Sequence, residues 1–269
     1  MGYAGALAKV SGGMGAWQTR DADATEWLDA DQMDAAELAR NLADIRHINA
    51  LLGWTTFTTR AVLRVLRAQP DRAWTLLDLA SGSADIPIAI ARAARRAGLD
   101  LRITVTDRSP QIVAVARERC AGLPGVTVER RDALALPYSD GAFDLTLCTL
   151  ALHHFAPDEA PALLRSMARV GRRALVFDVV RSPLAYAGVI ALTRLARMSP
   201  MTCHDGPVSV RRAYSAAEAR RLAAAAGLAD ARVSVGFPYR LALTAAGFTA
   251  TEAVAAHRAG GAERGAHAL

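Results

Sequence analysis

The chain has 269 residues, 52% hydrophobic and 22% charged. That is enough to bury the core of one α/β domain with a few added helices, and too apolar for a disordered chain. Its formal charge of +6 is spread along the length as arginine, with Lys9 the only lysine, which argues against the concentrated basic stripe of a nucleic-acid binder. Cys120, Cys148 and Cys203 lie far apart without paired spacing, so neither a zinc site nor a disulfide framework is expected.

No charged start followed by a long apolar run marks the N-terminus, so no secretory leader is expected. The longest apolar helix candidate, residues 184–192, is interrupted by Arg194 and Arg197 and is too short to span a bilayer. The expected location is the cytoplasm. Residues 1–22 are small and aperiodic and are expected to be mobile. Asp34, with Glu37 three residues on, reads as a capping box. Leu38, Leu42, Ile45, Ile48 and Leu52 then share one helix face, and Gly53 can end the helix. A second helix is predicted over 56–67.

From Trp74 the pattern alternates. Strands are predicted over 75–79, 102–106, 126–129, 143–150 and 174–180, and helices over 86–97, 110–120 and 157–170. Arg92, Arg95 and Arg96 fall on an exposed helix face, and Ser109 caps a helix with Pro110 at its first position. Strands alternating with helices at this spacing predict a parallel sheet, and the near-continuous apolar run 145–152 is buried on both faces. Ser182-Pro183 opens an apolar helix to about Met198, and a loop over 199–212 holds His204-Asp205-Gly206-Pro207. Ser215 and Glu218 form a second capping box, for a helix ending at Gly227. Closing strands are predicted over 232–235 and 239–244. The expected fold class is α/β: a Rossmann-like, doubly wound, seven-stranded, mostly parallel sheet. N-terminal helices precede it, and a helical insertion after the fifth strand forms a lid.

The most informative stretch is Leu76-Leu77-Asp78-Leu79-Ala80-Ser81-Gly82-Ser83-Ala84-Asp85, followed by Asp107 at the end of the next strand. Strand, small-residue turn, helix, strand and acid, in that order, build a nucleotide-type pocket at the carboxyl end of a parallel sheet. The turn reads A-x-G-x-A, with only Gly82 kept of the phosphate-binding glycines, and no G-K-[ST] occurs. Phosphates are therefore disfavoured, and a nicotinamide dinucleotide with them. An adenosine without phosphates fits better.

Asp78 to Asp85 resembles motif I of the class I S-adenosylmethionine-dependent methyltransferases. Val105-Thr106-Asp107 resembles the acidic end of that family's second strand. Arg131-Asp132-Ala133-Leu134-Ala135-Leu136-Pro137-Tyr138 with Phe143-Asp144 resembles its D-A-x-x-L-P … F-D segment, and Thr149 to Phe155 its fourth-strand exit. The four motifs stand in the family's order and spacing, and Ala80 and Ala84 replace its more usual glycines. The resemblance implies that Asp78, Ala80, Ser81, Gly82, Ala84 and Asp85 face the methionine portion of the cofactor. Asp107, with Arg108 beside it, would take the ribose, Asp132 and Ala133 the adenine edge, and Thr149 and Leu150 the methyl end. The implied cofactor is S-adenosyl-L-methionine, the product S-adenosyl-L-homocysteine, and no metal is expected.

On this reading the chain divides into a flexible N-terminus (1–22), a helical cap (23–70), a methyltransferase domain (71–246) with an acceptor-side insertion (183–214), and a flexible tail (247–269). The place after the fourth strand holds Leu150-Ala151-Leu152-His153 rather than an Asn-Pro-Pro-Tyr-like tetrapeptide, which disfavours adenine or amide acceptors. The covering segments are apolar, so a small apolar or aromatic acceptor is expected, with no nucleic acid and no stable membrane insertion; a homodimer stays open. The looser resemblance is to bacterial small-molecule enzymes of secondary metabolism or to quinone methyltransferases. The leading expectation is O-methylation of a phenolic acceptor. The alternatives are C-methylation of a quinone-like ring and a catalytically silent binding protein of the same fold. His153 and His204 are the candidate bases, His204 with Asp205 to orient it. His154 is expected to point elsewhere and His47 to be a packing residue. Tyr214 and Tyr239 read equally as residues that line the acceptor pocket and as core residues.

Overall fold

The computed structural model describes residues 17, 19–30 and 32–247; most of the two ends expected to be mobile, 1–22 and 247–269, lies outside them. Among the described residues seven strands form one sheet: β1 (Trp74–Leu79), β2 (Leu101–Asp107), β3 (Val126–Arg130), β4 (Leu145–Thr149), β5 (Arg173–Val179), β6 (Arg232–Gly236) and β7 (Arg240–Ala246). Their order is β3-β2-β1-β4-β5-β7-β6. Strands β1 to β5 are parallel, and β7 runs antiparallel to both β5 and β6. Eight α-helices accompany them: α1 (Ala35–Leu51), α2 (Trp54–Leu66), α3 (Asp85–Arg96), α4 (Pro110–Cys120), α5 (Ala160–Val170), α6 (Pro183–Leu195), α7 (Pro200–Arg212) and α8 (Ala216–Ala225).

The two-residue period of the strands sorts the core into two layers. Leu76, Leu145, Leu147, Leu175 and Phe177 pack on α2 and α3 through Trp54, Leu66, Ile86 and Ile90. Leu77, Leu79, Cys148 and Val176 face the other way, onto Leu163, Leu164 and Met167 of α5 and Leu222 of α8. A third, smaller cluster joins Leu38 and Leu42 of α1 to Ile112 of α4, which ties the cap to the sheet domain. No helix among the described residues is long and apolar enough to cross a membrane.

Three local expectations are corrected. The fourth strand ends at Thr149, because Leu150 turns into positive φ and Leu152–His154 form a short 3-10 turn. The capping box at Asp34 is half made. Asp34 accepts from Glu37 N, but the Glu37 carboxylate turns to Arg40 and to the backbone N–H of Met201. Residues 199–212, expected as a loop, are almost all α7. Ser199 caps it, accepting from Thr202 N at 3.3 Å, and Pro200 stands at its first position. Gly206, within that stretch, is a packing residue. A Cβ there would come within 2.9 Å of Val189 Cγ2 on α6, so the missing side chain is what lets the two helices approach.

The acid of the F-D motif has a structural task. Asp144, 8% exposed, accepts from Thr75 N and Thr75 Oγ1, each at 3.0 Å, and from the Arg72 guanidinium. It thereby joins the starts of β1 and β4. Asp144→Ala strips a buried N–H and a hydroxyl of their acceptor and is expected to cost about 2–3 kcal/mol. Urea denaturation checks this; a loss under about 0.5 kcal/mol would leave the joint without weight.

Candidate functional site

The strand order reverses between β1 and β4, so the chain leaves their carboxyl ends toward opposite faces and opens a crevice there. The β1–α3 turn forms one wall. Ala80 (φ 51°), Gly82 (φ 55°) and Ala84 (φ 61°) alternate in the left-handed region. Alanine tolerates that region at about 1–2 kcal/mol per residue. The turn is held by its neighbours: Ser81 N donates to Thr106 O (3.0 Å), while Ser81 Oγ and Thr106 Oγ1 both donate to Asp78 O (2.9 and 2.8 Å). Asp107 completes it, accepting from Gly82 N at 3.1 Å and Ser109 N at 3.0 Å.

These acids set the charge of the wall. Asp78 is 2% exposed, and its Oδ1 has no hydrogen-bond partner. Burial pushes its carboxyl up to about 7; nearby Asp85 and Asp107 add to the rise and Ser81 opposes it. Burial also raises Asp107, against the backbone N–H groups of Ser109 and Gly82. Asp85, at the start of α3, accepts from Asn49 Nδ2 at 3.0 Å. Asp132 turns its own loop, accepting from Leu134 N at 2.9 Å. Thr149 Oγ1 is buried without a partner, and Leu150 stands at φ 55°, a position foreign to a bulky side chain. A cationic ligand bearing hydroxyls suits this set: the carboxylates are stacked together, one with an idle oxygen, and each can accept further hydrogen bonds.

The crevice continues into a cavity of about 1320 Å³. Leu42, Ile45 and Ile48 of α1 and Leu184, Val189 and Leu192 of α6 line its apolar side. A polar cluster stands opposite, where β4 exits. His153, 4% exposed, is held twice by Asp178 at the end of β5: its backbone N donates to Oδ2 (2.9 Å) and its Nδ1 meets Oδ1 (2.8 Å). That leaves Nε2 toward Glu26, whose Oε1 lies 3.7 Å away. His154 is paired in the same way, Nδ1 to Asp29 Oδ1 at 2.8 Å, with Nε2 3.8 Å from Glu26 Oε2. Burial works against the charged form of His154, but Glu26 and Asp29 outweigh it and hold the imidazole up at about 9. The same hydrogen bond, with Arg212, keeps Asp29 well below the usual carboxylate range despite burial.

Glu26 and Asp29 come from a strap ahead of α1, docked on α7. Asp205 accepts from Trp27 N (2.8 Å) and Leu28 N (3.0 Å), Ser209 donates to Glu26, and Arg212 donates to Asp29 Oδ2 (2.7 Å) and to His154 O (2.8 Å). Arg20, in the segment expected to be mobile, donates to the carbonyls of His153, Phe155 and Arg212.

Most of the expected residues meet here. Ala80, Ser81, Gly82, Asp85, Asp107, Arg108, Asp132, Ala133, Thr149, Leu150, His153 and Tyr239 line the one cavity. Asp78 and Ala84 stand behind the turn they support and are not among its lining residues. Two candidates fall elsewhere, and two more residues differ from expectation. His204 lies on α7, not in a loop, its ring stacked on Trp27 at 4.3 Å and its Nδ1 bonded to Asp205 at 2.7 Å, away from the cavity. Asp205 does hold the His204 imidazole, as expected, but the ring so held stacks on Trp27 and is not among the residues that line the cavity. Tyr214 is buried and donates to Phe155 O at 2.8 Å. His154 faces the cavity after all, because the 3-10 turn, unlike a strand, does not alternate its side chains. His47 is exposed. Sequence reasoning missed Glu26, Asp29, Asn49, Asp178 and Arg212. Only Asp178 carried a signal, as an acid within an apolar strand.

Residues 76–173 match a family described as a methyltransferase domain. A demethylmenaquinone methyltransferase of Thermus thermophilus is 31% identical over 144 residues, covering 52% of this chain and 62% of that protein. A 2-phytyl-1,4-naphtoquinone methyltransferase of Synechococcus elongatus is 35% identical over 117 residues, covering 40% and 48%. The chain thus spans about half the length of these curated relatives. The solved structure of a SAM dependent methyltransferase from Aquifex aeolicus superposes with a TM-score of 0.54 at 16% identity, over 80% of this chain and 98% of that one. With the sheet order and the motif positions, these findings support a methyltransferase domain over residues 76–173, on the fold that the S-adenosylmethionine-dependent enzyme shares.

A carboxyl raised from 3.8 to about 7 in the folded chain keeps its proton there at pH values where the unfolded chain has lost it. In the free protein Asp78 therefore lowers stability as pH rises from about 4 to about 7. A bound cation favours the ionised form, so S-adenosylmethionine affinity is expected to increase over the same range and level off above it. Asp78→Asn should flatten that rise and weaken binding about ten- to hundredfold at pH 8, with no loss of thermal stability. Calorimetric titration across pH checks it; a wild-type affinity independent of pH would show that Asp78 does not sense the ligand.

Proposed function

We propose that the protein transfers a methyl group from S-adenosylmethionine to a small, apolar, hydroxylated aromatic acceptor, with His153 as the base. The observation that carries this reading is the His153–Asp178 pair, 2.8 Å apart and buried, on the wall of an apolar cavity that also contains the motif I turn. Bound S-adenosylmethionine supplies an electrophilic methyl group, which leaves its sulfur as the new bond to the acceptor forms. The chain's part is to align, to exclude water and to move one proton. Asp178 holds the imidazole by Nδ1 and stabilises its charged form. Nε2 is then the atom that takes the phenolic proton, and Glu26 Oε1 beside it steadies the imidazolium. The α1 and α6 side chains enclose the ring, and we assign the segment 183–214 the part of an acceptor-side cover.

Transfer to oxygen is the first reading, since the proton leaves the atom that is methylated. Transfer to a ring carbon is the second, favoured by the relatives named for menaquinone and phytyl naphthoquinone. Both begin from the same phenolate, whose charge is shared between oxygen and ring carbons, so His153 serves either. Incubation with S-adenosylmethionine and a panel of naphthols and hydroquinones, with NMR of the product, separates a methoxy from a ring methyl group. Cofactor binding without turnover on any acceptor would favour a silent binding protein instead.

His153→Gln and Asp178→Asn are expected to lower turnover by about 10²–10⁴-fold, the range for a positioned general base, and to leave S-adenosylmethionine affinity within about twofold. Steady-state kinetics beside calorimetry check both. Full turnover in His153→Gln would sink the assignment of the base. The His204→Ala variant is expected to keep wild-type turnover, since its ring points away from the cavity.

A further inference from the structure

Glu26, His153 and His154 have an arrangement that general base catalysis does not require. Their ligand-type atoms, one from each side chain, lie within 4.8 Å of one another. The two imidazoles present Nε2 to different oxygens of one carboxylate, at 3.7 and 3.8 Å. Those separations are too long for hydrogen bonds and close to the roughly 3–4 Å between neighbouring ligands of one ion bound at about 2.0–2.2 Å. Glu26 Oε1 is buried and has no hydrogen-bond partner. Both Nδ1 atoms are already taken, by Asp178 and by Asp29, each at 2.8 Å. A carboxylate behind each imidazole is the arrangement that fixes ring orientation and raises the donor strength of metal-bound histidines. Glu26 meanwhile comes from the strap and the histidines from the β4 exit, so three groups distant in sequence converge.

We propose that Glu26, His153 and His154 form a binding site for a first-row transition-metal dication such as Zn²⁺, whose occupancy takes the His153 base out of service. Two imidazoles and one carboxylate select this class of ion over Mg²⁺ or Ca²⁺, which prefer oxygen alone. The charges around the site are the carboxylates of Glu26, Asp29, Asp178 and Asp205 against the Arg212 guanidinium, which lies 3.7 Å from Glu26 Oε1. With both histidines neutral, the carboxylates outweigh the guanidinium, and a dication offsets most of that excess. An imidazole binds an ion only in its neutral form, so protons compete with the ion at this site. The remaining coordination positions open onto the cavity. Because His153 Nε2 cannot hold an ion and accept a proton together, metal binding and methyl transfer exclude each other. The binding site stands without the proposed methyl transfer; only the consequence for the base rests on that reading.

The test uses the full chain, with Co²⁺ as a spectroscopic probe and Zn²⁺ in calorimetry at pH 8. One equivalent of each is expected to bind, Co²⁺ with visible d–d absorption. His154→Gln and Glu26→Gln are expected to weaken both by at least about tenfold while circular dichroism and S-adenosylmethionine affinity stay as in the wild type. His204→Ala controls for the neighbouring His204–Asp205 pair and should change nothing. Absence of stoichiometric binding, binding unchanged in both Gln variants, or binding lost with His204 would overturn the site. Zn²⁺ at one equivalent is expected to abolish turnover on the best acceptor of the panel and a chelator to restore it; turnover unaffected at saturating Zn²⁺ would overturn the exclusion. Ion binding in a chain that methylates no acceptor would count against the proposed function and leave the site standing.

Discussion

The reversal of strand order between β1 and β4 is the constraint on which the rest depends. A parallel sheet needs a crossover after every strand, and crossovers of one hand put the next helix on a face set by the direction of the move. At β1 and β4 those directions oppose. The two carboxyl ends therefore part, and the segments leaving them become the walls of a crevice. The motif I turn stands on one wall and the Leu152–His154 turn on the other.

Each wall is stiffened by hydrogen bonds that cross between strands. Asp78 O gathers Ser81 Oγ and Thr106 Oγ1, so the turn after β1 is secured to β2. Asp178 accepts from both the backbone and the ring of His153, so the exit of β4 is secured to β5. The carbonyls of the 153–155 turn, left unpaired by the end of the strand, are taken up by Arg20, Arg212 and Tyr214. Buried carbonyls need partners, and here the partners come from the segment ahead of α1, from α7 and from the residues just after it. The elements that cover the cavity also hold the β4-exit side in shape.

The crevice has two electrostatic halves. Around the motif I turn, Asp78, Asp85 and Asp107 crowd carboxylates together, and burial lifts the first and last of them above the ordinary range. Across the cavity, Glu26, Asp29 and Asp178 alternate with imidazoles and with Arg212, and the charges there pair among themselves. The first half calls for a cation from outside. The second carries its own cations, so its carboxylates are already answered from within the chain.

The sequence by itself determined the alternation of strands and helices, the acids at the ends of β1 and β2, and the place of His153 after β4. These follow from short-range pattern: apolar runs, caps and turns depend on neighbours within a few residues. Tertiary structure decided what surrounds His153 and His154. Asp178, Glu26 and Asp29 lie 25 to about 130 residues from the histidines they meet, and nothing local marks such a meeting. It also decided that His204 faces Trp27 and that residues 199–212 form a capped helix rather than a loop. Asp205-Gly206-Pro207 has the composition of a turn, but a capped start and close packing against α6 outweigh that local preference, since a helix gains most of its stability from the face it buries.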